Sequence, residues 1–295
     1  MTLAYYPGCS LHGTSREFEE SFLAVTGHLG IDLVELDDWN CCGASSAHPV
    51  SRELGVALPA RNLALAAEQG ADEIVAPCAA CFNRLAAARH ALATDADLAA
   101  RMPEIVGRPL PGAMGVRNVV DVLAAHAPRI EALAAAVLEP RAMARLKVAA
   151  YYGCLLVRPS ETTGFDDPEQ PATMETVIAA CGSVPVQWNM AVECCGGAFA
   201  ISRTSSVVRL GRRIIADARA HGAEAIAVAC PLCHSNLDLR QAAMTRRGEE
   251  PLPVLFITQV VGLALGLSEE ELGIRRHFVD AQPLLAALAG PAEDA

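Results

Sequence analysis

The stretch Cys194-Cys195-Gly196-Gly197, with its earlier counterpart Cys41-Cys42-Gly43, organises the chain. Adjacent cysteines are poor disulfide partners, because neighbouring side chains point apart along an extended backbone. Each pair stands between two further cysteine signals, one Cys upstream (Cys9, Cys154) and a C-x-x-C downstream (Cys78/Cys81, Cys230/Cys233). The spacings are C-x31-CCG-x34-C-x2-C and C-x39-CCG-x33-C-x2-C, and ten of the eleven cysteines fall into these two sets of five. Core cysteines do not repeat in register. The pattern therefore points to two thiolate-rich sites, with the rest of the chain as scaffold.

Working outward, the sets belong to an internal repeat. Tyr5-Tyr6-Pro7-Gly8-Cys9 is echoed by Tyr151-Tyr152-Gly153-Cys154, Trp39-Asn40 by Trp188-Asn189, and Glu73-Ile74-Val75-Ala76-Pro77-Cys78 by Glu224 to Cys230. Cys154 follows Cys9 by 145 residues but Cys194 follows Cys41 by 153, so the second half carries extra residues, assigned to the loop Arg158 to Pro171. Each half reads as alternating strand and helix. In the first half, strands are expected at Thr2–Tyr6, Ile31–Leu36 and Glu73–Ala76, and helices at Ser15–Leu29, Arg52–Gln69, Cys81–Leu92 and Val119–Ala125. The second half predicts strands at Lys147–Tyr151, Val184–Gln187, Ala225–Ala229 and Val254–Ile257. Its helices are expected at Thr173–Ala180, Ser205–His221, Leu232–Arg246 and Gln259–Leu267. The proline- and glycine-rich segment Thr94–Gly115 reads as a loop or insertion, and the tail after Pro283, ending in Pro291-Ala-Glu-Asp-Ala, as frayed. The expected fold class is α/β, with two pseudo-repeated domains, 1–145 and 146–295, dividing near Pro140. Each would be a small, mostly parallel sheet flanked by helices. Ligands of such sheets collect at the carboxyl ends of the strands, where the cysteines fall.

Composition narrows the function. The 295 residues suit two domains, and 52% hydrophobic content permits large cores. A formal net charge of -11 argues against a sequence-independent nucleic-acid binder. The N-terminal residues carry no signal-peptide pattern, and the apolar run Val254–Leu267 is interrupted and too short to span a bilayer. The expectation is a cytoplasmic protein without a transmembrane segment, in which many cysteines mean metal or redox chemistry rather than structural disulfides.

Iron–sulfur clusters usually take four Cys thiolates, and a closed zinc site takes four. Five per set leaves a surplus that can bridge, stand spare or do redox work. A thioredoxin-like pair at each C-x-x-C and two zinc sites remain open on spacing alone. Gly43 and Gly196 suit close approach of backbone to a cluster or a positive φ. Cys181 aligns with Leu29 through the glycine that follows each, and reads as a core residue. His12 and His234, close to ligand cysteines, are candidate proton donors to a leaving thiolate. Arg16, Arg84, Arg158 and Arg203 follow cysteine motifs and are candidates for an anionic substrate, with Arg16 and Arg158 placed first. His48, His90, His126 and His221 carry no functional reading.

These motifs resemble a known family. The doubled pattern is that of the cysteine-rich "CCG" domain, and the full-length resemblance is to the B subunit of heterodisulfide reductase. It extends to Tyr5–Gly13, Tyr151–Pro159 and Cys230–Asp238, and covers roughly Leu3 to Val279. The resemblance implies two noncubane [4Fe–4S] clusters, each held by five cysteines, that face each other and cleave or form a disulfide. Cys9, Cys41, Cys42, Cys78 and Cys81 would hold one cluster, and Cys154, Cys194, Cys195, Cys230 and Cys233 the other. It also implies two partner subunits, one ferredoxin-type with [4Fe–4S] clusters and one flavin-bearing. In bacterial sulfur-oxidising relatives, a lipoate-bearing sulfur carrier protein is implied as well. Gly197 departs from the family pattern and puts the substrate in question more than the metal. A second reading is an electron-transfer component of a lactate/glycolate or succinate/fumarate dehydrogenase complex. A third is a non-enzymatic zinc or assembly protein.

Overall fold

The computed structural model describes residues 3–44, 46–137, 143–246 and 248–289. The division expected near Pro140 and the end of the tail, 290–295, lie outside the described residues, whereas the tail's first part is not frayed: Gln282–Ala289 is helical. Eight short strands form two four-stranded sheets. The first contains β1 (Leu3–Tyr5), β2 (Leu33–Glu35), β3 (Glu73–Ala76) and β4 (Gly115–Asn118), in the order β2-β1-β3-β4. The second contains β5 (Lys147–Tyr151), β6 (Val184–Val186), β7 (Ala225–Val228) and β8 (Val254–Phe256), in the order β6-β5-β7-β8. Every pairing is parallel, with registers such as Ala4↔Ile74 and Ala149↔Ile226. Helices cover the sheets, so the central strands are apolar beyond the charged first residues of β3 (Glu73) and β5 (Lys147); all four residues of β7 are buried. No helix among the described residues is long and apolar enough to cross a membrane.

The strand order fixes where a site can form. From β1 the chain moves one way to β2 and then back across to β3, so the sheet has a switch point between β1 and β3. The second sheet repeats this between β5 and β7. Loops leaving the carboxyl ends of three adjacent strands diverge there and leave a crevice.

Two further expectations need correction. Thr94–Gly115 is not a loop throughout: Ala96–Val106 is helical, and Gly115 opens β4. Asp95 caps that helix through Leu98 N–H, Leu98 and Met102 bury one face, and Gly107 ends it at φ 69°. A good cap and i, i+4 apolar spacing outweigh Pro103 within the helix. The helix expected to reach Arg246 stops at Leu237. Gln241 turns its side chain inward, donating to the Leu237 and Leu252 carbonyls and accepting from Leu252 N–H, and a 3-10 turn follows instead.

The two halves are joined by buried contacts. Phe18 stacks on Phe256 with ring centroids 4.1 Å apart, and the Ser21 and Thr258 hydroxyls lie 2.6 Å apart. Asn83, fully buried, donates to the Leu155 carbonyl at 2.9 Å and the Arg158 carbonyl at 2.8 Å. Ala79 N–H reaches the Ala229 carbonyl at 3.2 Å, beside Cys78 and Cys230. Replacing Asn83 with Ala strands two carbonyls, and is expected to cost roughly 2–3 kcal/mol in urea unfolding followed by circular dichroism. An unchanged midpoint would mean that this tie does not hold the halves together.

Candidate metal centre

Each cysteine arrives at a strand's carboxyl end. Cys9 sits in the single helical turn Gly8–His12 after β1, Cys41 and Cys42 in the loop after β2, and Cys78 just after β3. Cys78 is the N-cap of helix Ala79–Thr94, and Cys81 lies in its first turn. The second half repeats this: Cys154 follows β5, Cys194 and Cys195 follow β6, and Cys230 caps helix Pro231–Leu237, which carries Cys233. Spacing of three residues in a helical first turn puts both sulfurs of each C-x-x-C on one side. Helix N-termini favour negative charge there.

The sulfurs converge. Cys9 and Cys41 lie 3.8 Å apart, Cys42 and Cys81 3.4 Å, Cys154 and Cys194 3.9 Å, and Cys195 and Cys233 3.4 Å; all are free thiols. The two sets approach each other where Ala79 N–H meets the Ala229 carbonyl at 3.2 Å, beside Cys78 and Cys230, which influence each other's ionisation. Cys42, Cys78, Cys81, Cys195, Cys230 and Cys233 are buried, whereas Cys9, Cys41 and Cys194 are exposed. The repeated tyrosine three residues before the first cysteine anchors each vicinal pair. Tyr6 donates to the Asn40 carbonyl at 2.9 Å, and Tyr151 to the Glu193 carbonyl at 2.6 Å.

The thiols polarise one another. Cys42 is lowered to about 3 by hydrogen bonds from the Cys41 and Cys81 thiols, with help from Ala44 N–H and the Arg84 charge. Cys194 is lowered to about 6 by the Cys154 thiol and the N–H groups of Gly196 and Gly197. The thiols of Cys233 and Cys78 hold Cys230 well below the ordinary range. The donors move the other way: hydrogen bonding to a neighbouring thiolate, with burial, raises Cys41, Cys78, Cys81, Cys154 and Cys233. Each set thus holds stabilised thiolate, the form that binds metal.

The backbone closes round the sulfurs. A Cβ on Gly8 (φ 69°) would lie 2.9 Å from Cys81 Sγ, and one on Gly153 (φ 63°) 3.1 Å from Cys233 Sγ. Gly43 and Gly196 do take positive φ, but a Cβ there would meet Ala47 and Leu58, or Val207 and Leu210, rather than sulfur. Close approach to sulfur therefore belongs to Gly8 and Gly153. Sulfur-only donor sets, stabilised thiolate and a glycine cradle fit a cysteine-ligated metal centre.

A cavity of about 240 Å³ opens on the second set, bounded by all five of its cysteines and, from the first half, by Ala44, His48, Ala79, Ala80 and Arg84. Of the four candidate arginines, Arg84 alone is among its lining residues. Arg16 lines a different cavity, and Arg158 is half-buried with its carbonyl held by Asn83. His12 Nε2 sits 3.0 Å from Glu19 and 3.5 Å from Glu35, with its ring edge on Trp39. His234 faces away from the thiols. It follows Cys233 by one residue, a rotation of about 100° on a helix, which turns it beneath β8. There its Nε2 meets the Val254 carbonyl at 3.0 Å and its ring stacks on Phe256. Burial holds it well below the usual histidine range, so it stays neutral. The geometry gives His234 no path to a leaving thiolate. His48, unread in the sequence, does line the cavity; it sits in the short helical turn Ala47–Val50 that follows the Cys42-Gly43 loop, and that nearness was its signal. Cys181 is buried away from both sets, its thiol pushed up to about 12 by burial.

Comparison with known proteins places this geometry. The profile of the CCG family, described as "Cysteine-rich domain", matches residues 3–86 and again 148–238. The chain belongs to the CCG cysteine-rich domain family. Among curated relatives, the 8-methylmenaquinol:fumarate reductase membrane anchor subunit of Wolinella succinogenes is 34% identical over 283 residues, 95% of this chain and 98% of that one. The B subunit of the ferredoxin/F(420)H(2)-dependent CoB-CoM heterodisulfide reductase of Methanosarcina acetivorans is 28% identical, covering 97% of this chain and 96% of its own. The B subunit of a ferredoxin:CoB-CoM heterodisulfide reductase of Methanosarcina mazei is 27% identical over similar shares. The solved structure of a hypothetical protein from Helicobacter pylori shares the fold, with a TM-score of 0.71 at 13% identity. This chain matches it over 95% of its own length but spans 52% of the Helicobacter protein.

Gly8→Ala and Gly153→Ala are each expected to remove about half of the bound metal, since each crowds one sulfur set. Cys181→Ala is expected to retain all of it. Metal analysis of anaerobically purified variants checks both; equal metal in all three would sink the cradle argument.

Proposed function

We propose that this CCG protein is the two-cluster iron–sulfur component of a heterodisulfide-reductase-like complex and carries out thiol–disulfide or persulfide redox chemistry. The observation that carries the reading is the approach of two five-thiol sets where Ala79 meets Ala229, next to Cys78 and Cys230, beside a cavity open to the second set. On this reading Cys9, Cys41, Cys42, Cys78 and Cys81 hold one noncubane [4Fe–4S] cluster. Cys154, Cys194, Cys195, Cys230 and Cys233 hold the other, and residues 1–145 and 146–295 are the two units. When bound, such clusters supply one-electron centres and iron with affinity for sulfur. The chain's own residues stabilise negative charge through helix N-termini and backbone N–H groups. They exclude water from the six buried cysteines, and present the exposed sulfurs of Cys9, Cys41 and Cys194 outward. His12, tied to Glu19, remains the proton donor of this reading on the outer side of the first set. Electrons would come from separate polypeptides, one ferredoxin-type and one flavin-bearing. A lipoate-bearing carrier is a candidate source of substrate sulfur.

A second reading has specific support. The 34% identity to a quinol:fumarate reductase component exceeds the 28% and 27% to the heterodisulfide reductase chains. In such a complex the chain would relay electrons without acting on sulfur.

Anaerobic purification with iron and sulfide analysis tests the shared part, with about eight irons per chain expected for two four-iron clusters. A new paramagnetic signal on adding thiol, and disulfide reduction by reduced viologen that Cys194→Ala abolishes, would favour the first reading. Rapid reoxidation by a quinone with no thiol response would favour the relay. Zinc without iron would remove both.

A further inference from the structure

Arg84 differs from the arginines that carboxylates hold. Arg52, Arg61, Arg108, Arg117, Arg219 and Arg276 each pair with a carboxylate. Among the described residues, no carboxylate forms an ion pair with Arg84, although its side chain is half-buried. It lies on helix Ala79–Thr94, one turn beyond Cys81. Its charge acts on Cys42 of the first set, and it lines the cavity that opens on the five cysteines of the second. No Asp or Glu lines that cavity; the other ionisable groups there are His48, Tyr152 and the thiols. Its Nη2 donates to Asn83 Oδ1. The Asn83 amide is fixed in turn, because its Nδ2 is committed to the Leu155 and Arg158 carbonyls.

A partly buried cation without a counter-ion is costly. Here the negative groups that face it are cysteine sulfurs. We infer that Arg84 is the counter-charge common to both cysteine sets, and that it sets how readily the site accepts an electron. Adding an electron to a thiolate-held centre deepens its negative charge. A fixed cation in a low-dielectric pocket stabilises that reduced form more than the oxidised one. Arg84 is thus a positioning residue: it acts through charge, held in place by an asparagine that spans the two halves. This inference rests on the iron–sulfur reading above.

The test is a redox titration of the intact, iron-loaded chain with dithionite and mediators, followed by electron paramagnetic resonance, for wild type, Arg84→Gln and Arg84→Lys. At a fixed solution potential the Gln variant is expected to raise the oxidised-to-reduced ratio about tenfold, a fall of about 59 mV for a one-electron centre. The Lys variant should recover most of that. Iron lost from Gln but kept by Lys would support the same charge requirement at loading. Equal iron with an unmoved potential in Gln overturns the inference, as does an equal shift, or equal loss of iron, in both variants. A wild-type chain without iron would remove the iron–sulfur reading itself, and this inference with it.

Discussion

Negative charge crowded into a small volume is the constraint on which this structure depends. Cys42 and Cys81, like Cys195 and Cys233, bring buried sulfurs within 3.4 Å of each other. Across the halves, Cys78 and Cys230 flank the point where Ala79 N–H meets the Ala229 carbonyl, and each shifts the other's ionisation. Such a cluster persists only where dipoles and hydrogen-bond donors surround it. Parallel sheets supply these, because every strand's carboxyl end leads to a helix N-terminus. The strand order then sets three such ends side by side at one switch point. Short strands suffice: β1 needs three residues, since its task is to aim Cys9 rather than to extend a sheet.

Small side chains let the halves meet. Ala79 N–H bonds the Ala229 carbonyl directly, and Ala44, Ala79 and Ala80 form the first half's wall of the cavity. Ala79 and Ala229 are both buried, so longer side chains there would hold the two backbones apart. The chain's alanine content is therefore tied to the site as well as to helix formation. The Tyr6 and Tyr151 hydroxyls complete the arrangement from below by holding the residue before each vicinal pair.

Much of this was legible in the sequence because duplication makes position informative. Tyr-x-x-Cys, CCG and C-x-x-C recur in register, and the strand–helix alternation around them gave the parallel α/β class that the two sheets display. Features that the cysteine motifs do not mark were harder to read. Strand β4, four residues with a charged Arg117, shows no alternation; its identity comes from pairing with β3. Nearness in sequence to a cysteine misled for His234, because one residue along a helix is a change of face. It was uninformative for Arg84 against Arg16 and Arg158, because which arginine lines the cavity depends on Asn83 joining the halves, a long-range contact. Gly8 and Gly153 stood in the quoted motifs, yet the more conspicuous CCG glycines drew the assignment of close approach to sulfur.

The repeat is also broken in a way that divides labour. The cavity takes its sulfurs from the second half, but His48, Arg84 and three alanines come from the first. A duplicated chain using both sites identically would give each half the same wall. Here the first half contributes surface and positive charge to the second half's thiols. The two readings of the chain share this asymmetry and differ in what it is for. A substrate that binds sulfur to sulfur needs the cavity as a reaction vessel with one set on display. A relay needs two centres in contact, with unequal electrostatic surroundings that give electron flow a direction. The approach of the halves beside Cys78 and Cys230 serves either use, so the two readings part at the cavity, by what its largely apolar wall and single arginine admit to the second set.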